Sequence, residues 1–258
     1  GDSMFDDASS FDQDLSSWNI ESGIVYESFS KTTITGFDSV SFPADGNITT
    51  HVNATIIANG AFNNCSELIS ITMTSVVEIG NNAFGNCTNL TSVVFSSVLE
   101  TIGESAFFYS TNLSGDIVLP SGLTILGREA FSGCTSITQV NIPSAITHLN
   151  HTFWSCSSLT TVTLDNNSTI DTISDAFGYC SSLTSFPFMS IPLVTINGSA
   201  FYESGLTGIV EFPSTLQSIT DGNAFENCPN ITEARMTYSL DGVPTLMMYV
   251  SISSFGIF

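Results

Sequence analysis

The sequence predicts a repeat solenoid: coils sharing a parallel β-sheet, with short helical or 3₁₀ turns and loops on the other side. Three observations predict it. A phrase beginning Ala-Phe and usually ending in Cys recurs at Ala61–Cys65, Ala83–Cys87, Ala130–Cys134, Ala176–Cys180 and Ala224–Cys228. The phenylalanines at 62, 84, 107, 131, 153, 177, 201 and 225 follow one another at intervals of 22 to 24 residues. Each phrase is followed by a short β-branched, alternating stretch that suits one strand of a parallel ladder. At such a fixed period each unit buries its apolar face against its neighbours.

The expected strands are Leu68–Met73, Leu90–Phe95, Leu113–Leu119, Ile137–Ile142, Leu159–Leu164, Leu183–Phe188, Leu206–Phe212 and Ile231–Met236. Gly80, Gly103 and Gly127, with Asn150 and Asn197 in the same register, are expected at sharp turns needing a positive φ, which Gly and Asn tolerate best. The Ala-Phe that follows is expected to start a short helical or 3₁₀ turn with Phe directed into the core. Between Phe42 and Phe62 the period is about eight residues too long, which predicts a loop around residues 47–51.

Residues 4–19 carry a different phrase, Met4-Phe5-Asp6-Asp7-Ala8 through Phe11, Asp14-Leu15-Ser16 and Trp18-Asn19, with Phe29 falling 24 residues after Phe5. It resembles the M-F-x-x-A-x-x-F-N-x-D-L-S-x-W-N repeat of BspA-type surface proteins, with Asp12 in place of the usual Asn. From residue 38 onward the pattern L-x-x-[IV]-x-[ILF], a turn, then I-G-x-x-A-F-x-x-C-x-x-L looks like the BspA-type leucine-rich repeat. The resemblance implies a leucine-rich-repeat solenoid of about eight repeats over 38–258, with 1–37 stacked on it as N-terminal surface repeats. It also implies a surface-displayed, non-enzymatic protein.

Charge limits the partners. Three Lys+Arg stand against 24 Asp+Glu, a formal net charge of −21. Lys31, Arg128 and Arg235 cannot form a patch that displaces counterions from phosphates, so nucleic acid is excluded, and an anionic membrane surface repels the chain. No run approaches the ~20 apolar residues of a membrane helix. Gly1-Asp2-Ser3-Met4 opens without a secretory leader, and Val243–Phe258 is apolar but broken by Pro244, Ser251, Ser253, Ser254 and Gly256. That stretch reads as further strand, and the chain is expected to be a processed product or a segment of a longer one.

No constellation for chemistry is found. Cys65, Cys87, Cys134, Cys156, Cys180 and Cys228 each fall three residues after the repeat Phe, while Ser110 and Ser204 fill the same slot elsewhere. Interchange with Ser predicts small buried thiols, free rather than bridged. A bridge between neighbouring coils ~4.8 Å apart nevertheless lies within the span a disulfide tolerates. The histidines are His51, His148 and His151; His148 and His151 have no cysteine or carboxylate at ligand spacing, C-x-x-C is absent, and so are nucleophile elbows, P-loops and Rossmann glycines. No catalytic residue, metal or cofactor is expected.

Two surface features remain. Eleven N-x-[ST] sequons occur, about twice the number chance would give at this Ser and Thr content. The candidate N-glycosylation sites are Asn47, Asn53, Asn89, Asn112, Asn166 and Asn230. Sequons also arise from the repeat consensus itself, so both origins stand. A candidate binding face is formed by Thr91, Thr138, Thr160, Thr184, Thr207 and Thr232, which follow the strand-opening Leu or Ile, and by Thr72, Asn141 and Thr163 further along. Outward Thr also simply suits a strand. Two functions are carried forward. One is an extracellular recognition or adhesion module whose partner is a protein or glycan. The other is a structural subunit that assembles through its ends or sides, its partner being copies of itself.

Overall fold

Most coils carry two short strands, where one was expected. The computed structural model describes residues 46–49, 55–220, 223–240 and 243–250, with backbone only from 237 on. In chain order the strands begin β1 (Asn47–Thr49), β2 (Ile56–Ile57), β3 (Ser70–Thr72), β4 (Glu78–Ile79), β5 (Ser92–Val94), β6 (Thr101–Ile102), β7 (Gly115–Val118) and β8 (Ile125–Leu126). They continue as β9 (Ile137–Ile142), β10 (His148–Asn150), β11 (Thr161–Leu164), β12 (Thr172–Ser174), β13 (Thr195–Asn197), β14 (Gly208–Phe212), β15 (Ser218–Ile219), β16 (Ile231–Leu240) and β17 (Val243–Val250). No α-helix occurs among the described residues, and the one 3₁₀ turn among them is Phe188–Ser190.

The strands pair from coil to coil in two columns. The first contains the expected strands except Leu183–Phe188 and falls into three sheets, β1-β3-β5, β7-β9-β11 and β14-β16-β17. The second column, β2-β4-β6-β8 followed by β10-β12-β13-β15, lies in the segment just before the Ala-Phe turn. All pairs are parallel except β16 with β17, which is antiparallel. The stretch 243–250 is therefore a strand, as expected, but it folds back on β16.

Three expectations are corrected. Residues 47–49 are not a loop: they form β1, in register with Ser70–Thr72, since Ile48 continues the inward row of Ile71 and Val93. Leu183–Phe188 is not a strand. Pro187 has no N–H for a ladder, and the chain enters the 3₁₀ turn instead, which ends the sheet between β11 and β14. Finally, Gly80, Gly103 and Gly127 do not have positive φ, nor do Asn150 and Asn197; the left-handed residues after those asparagines are His151 and Gly198. The glycines answer to close approach between coils. A Cβ on Gly80 would lie 2.6 Å from Asn59 N, one on Gly103 2.7 Å from the Gly80 carbonyl carbon, and one on Gly127 2.5 Å from Glu104 N.

The Ala-Phe segment is not the helical or 3₁₀ turn expected, because left-handed residues alternate through it; it forms a third line of contact. Residues two before and two after the Phe take left-handed backbone in most coils, for example Asn82 (φ 54°) and Asn86 (φ 56°) around Phe84, and Asp175 (φ 51°) and Tyr179 (φ 59°) around Phe177. This alternation lets every second N–H leave the coil. Phe62 N–H donates to Ala83 O at 2.7 Å, Phe84 to Ala106 O at 2.7 Å and Phe107 to Ala130 O at 2.7 Å. Each left-handed non-Gly residue costs on the order of 1 kcal/mol, which the inter-coil bonds offset.

Inside, the repeat phenylalanines form the expected spine. From Phe62 to Phe225 successive rings stack with centroids 4.9 to 5.7 Å apart and planes within 18° of parallel. Around it pack the strand Leu, Ile and Val side chains and all six cysteines in one continuous core.

Candidate functional site

The cysteines are free and buried, as their register predicted. Their slot has a chemical requirement beyond size. The thiols of Cys87, Cys156, Cys180 and Cys228 donate to the carbonyl oxygens of Phe62, Phe131, Phe153 and Phe201, one coil earlier, at 2.9 to 3.2 Å. Desolvation by burial pushes Cys180 up to about 12 and Cys156 well above the usual thiol range, so these groups are not nucleophiles.

The proposed threonine face lies on the first column, and the coils do align it. Thr91, Thr160, Thr184, Thr207 and Thr232 are exposed and Thr138 is half-buried. Their hydroxyls have a structural use: Thr91 Oγ1 donates to Ile69 O at 3.1 Å, Thr160 to Thr138 O at 3.0 Å and Thr207 to Thr184 O at 3.4 Å. The backbone N–H of the same residue reaches the same carbonyl in each case. What the row offers a ligand is therefore acceptor lone pairs rather than donors.

Farther along the strands, Thr72 pairs with Val94, and Asn141 lies between Val118 and Thr163. Thr163 Oγ1 donates to Asn141 Oδ1 at 2.9 Å, and Asn141 Nδ2 to Asp165 Oδ1 at 2.8 Å. Val118 and Val94 stand in this row 69% and 53% exposed. At its far end Arg235 meets both Glu233 carboxylate oxygens at 2.9 Å, which lowers the Glu233 pKa, and approaches Glu211 at 3.5 Å.

Among the sequons, Asn47, Asn89, Asn112, Asn166 and Asn230 are exposed, while Asn53 lies outside the described residues, as do His51 and the 4–37 phrase. Asn89 Nδ2 donates to Ser66 O at 2.8 Å and Asn112 Nδ2 to Thr88 O at 2.7 Å, so both amides brace the coil before them.

Sequence reasoning missed two groups. His148 Nδ1 lies 2.9 Å from Asp171 Oδ1 and His151 Nδ1 3.6 Å from Asp175 Oδ2, partners that sit one period ahead in the chain. No group of three His, Cys, Asp or Glu among the described residues could hold a metal ion. The second group is a line of aromatic rings on the turn edge: Trp154 to Tyr179 at 5.1 Å and Tyr179 to Tyr202 at 5.2 Å between centroids. The signal was available in the residues one and two places after the repeat Phe.

A sequence model described as the BspA type Leucine rich repeat region (6 copies) matches residues 11–115, 34–150 and 108–232. The chain belongs to this BspA-type leucine-rich repeat family. No curated protein matches it. Among solved structures it is similar to a leucine rich cell surface protein from Faecalibacterium prausnitzii, with 25% identity and a TM-score of 0.52, over 81% of this chain and 52% of that one. A leucine-rich repeat protein from Bacteroides ovatus is 23% identical with a TM-score of 0.49, over 74% of this chain and 63% of that one. The T. pallidum leucine-rich repeat protein is 22% identical with a TM-score of 0.43, over 53% and 77%. The BspA-type chain thus spans about half the length of its Faecalibacterium relative. No helix among its described residues is long and apolar enough to cross a membrane.

Proposed function

We propose that this BspA-type chain is a non-enzymatic recognition and adhesion module, displayed at a cell surface or outside the cell, that holds a protein or glycan partner on its solenoid surface. The observation that carries this reading is the mixed row on the first column. Exposed Val94 and Val118 stand in line with Thr72, Asn141 and Thr163, apolar area among fixed polar groups on a rigid ladder. Such a mixture is what a non-obligate interface presents. The surface location is supported by the similar Faecalibacterium protein, described as a cell surface protein.

The test is capture of the purified chain on immobilised extracellular-matrix proteins and mucin glycans. Val118→Asp, or joint replacement of Thr138, Thr160 and Thr184 by Ala, should abolish capture while leaving the circular dichroism unchanged. Capture by neither surface type ends the reading. Assembly into a filament or coat is the second reading, favoured by β17: on its outer side this eight-residue edge strand has no neighbour among the described strands. Deleting residues 243–258 should then lower the mass seen by light scattering, and an unchanged mass would remove it.

A further inference from the structure

Seen down the turn edge, three aromatic side chains from consecutive coils make one strip. Trp154 follows its repeat Phe by one residue, Tyr179 by two and Tyr202 by one, and the rings step 5.1 and 5.2 Å from one to the next. His151 stacks on Trp154 at 5.0 Å and holds the near end beside Asp175. At the far end Asn227 Nδ2 donates to Tyr202 Oη at 3.1 Å and approaches Glu203 Oε1 at 3.5 Å.

The fold does not require these aromatics. Tyr179 occupies a left-handed position (φ 59°) that other coils fill with Asn64, Asn86, Tyr109, Gly133, Ser155, Glu203 or Asn227. A bulky residue there is the costlier choice, yet its ring is left 39% exposed. The coil after Trp154 has Gly178 under the indole; a Cβ on Gly178 would collide with Trp154 Cζ3. The strip is thus set in place before any ligand arrives, which limits the entropy lost on binding.

We propose that this edge binds a neutral oligosaccharide, with a sugar ring packed against Tyr179. It deepens the recognition reading by naming a ligand class and a surface separate from the sheet. Three properties select that ligand. The rings meet edge to face, at 77° and 66°, so the exposed Tyr179 ring offers one platform, flanked by half-buried Trp154 and Tyr202. The C–H face of a sugar packs on an aromatic ring as other apolar groups do. Two carboxylates flank the strip: Glu203 is exposed, and Asp175 is half-buried with Oδ1 accepting from Ser199 N–H at 2.7 Å. Carboxylates only accept, so they suit the many O–H donors of a sugar better than the carbonyl-rich backbone of a proline-rich peptide. The net charge of −21 selects against acidic sugars.

The test is affinity electrophoresis of the full chain through gels containing hydroxyethylcellulose, galactomannan or mannan, with polygalacturonate as the acidic control. At least one neutral polymer should retard the chain and polygalacturonate should not. Tyr179→Ala, which removes an exposed ring without opening the core, should weaken binding on the order of 10-fold. Tyr179→Phe should keep most of it, and Asn166→Ala, at an exposed turn position away from both surfaces, should leave it unchanged. Retardation by none of the neutral polymers overturns the proposal, as does retardation indifferent to Tyr179→Ala. Loss on replacing Thr138, Thr160 and Thr184 by Ala, with Tyr179→Ala harmless, would put the sugar on the sheet and overturns it too, while sparing the broader recognition reading. A proline-rich peptide that perturbs Trp154 fluorescence where no sugar does would replace it with a peptide groove.

Discussion

Cys134 donates its thiol hydrogen to the carbonyl oxygen of Phe107, one coil earlier, at 3.0 Å. Ser110 makes the same bond to Phe84 O at 2.7 Å, which explains why Cys and Ser exchange in this slot. The slot selects a small side chain that carries one hydrogen to give.

Substitution at Cys134 should follow that rule. Cys134→Ser should stay within about 1 kcal/mol of the parent, because the donor is kept. Cys134→Ala should lose about 1 kcal/mol with the bond, and Cys134→Leu about 1–3 kcal/mol through overpacking. Urea unfolding curves of the three variants check the order; an Ala variant as stable as the Ser variant would remove the hydrogen bond from the account.

What was legible in the sequence was what repeats and points inward. Phe131 and Cys134 sit at one offset in coil after coil, so spine and thiol ladder could both be read. The second strand column could not, because units such as Glu78–Ile79 and Ser218–Ile219 are two residues long, too short to show alternation. Gly103 was identified as a constrained position for the wrong reason: a sequence marks a glycine without saying whether φ or a neighbouring backbone demands it. Of the candidate face, the repeated register of Thr160 and Thr163 was legible, but not the use of their hydroxyls within the ladder. The aromatic strip escaped because its register holds Asn or Gly in several coils, and the departure at Tyr179 was the informative residue.

Glycines in the turn register should separate sharply from others. Gly103→Ala drives a Cβ to within 2.7 Å of the Gly80 carbonyl carbon and should cost about 3 kcal/mol. Gly122 has no positive φ, and its nearest such contact is Leu99 O at 3.9 Å. Gly122→Ala should therefore be neutral or stabilise by about 0.5 kcal/mol. Thermal melts of the two variants check the contrast, and equal effects would contradict close coil approach as the cause.

The exposed asparagines should divide in a similar way. Asn112→Ala removes the amide that braces Thr88 O and should cost about 1 kcal/mol. Asn166→Ala, at an exposed turn position, should leave the unfolding midpoint unchanged. On the same ground, a chain made in a glycosylating host should carry a sugar at Asn166 without loss of stability. Comparing melts before and after enzymatic deglycosylation of a variant with Asn166 as its sole sequon tests this directly.

The buried thiols make alkaline stability predictable in sign. An unfolded thiol releases its proton near about pH 8.5, whereas burial pushes Cys180 up to about 12 in the folded chain. Below pH 8.5 both states hold the proton and this group has no effect on stability. Between 8.5 and about 12 the folded state binds a proton the unfolded state has released, so rising pH favours unfolding. The slope is about 1.4 kcal/mol per pH unit for each such thiol. Tyrosines also titrate in this range, so the difference between the parent and Cys180→Ser is the informative quantity. Urea midpoints taken from pH 8 to 11 should fall less steeply for Cys180→Ser, by about the share of one proton. Parallel slopes would mean that Cys180 ionises alike in both states, and that the thiol is not held protonated by burial against the Phe153 carbonyl.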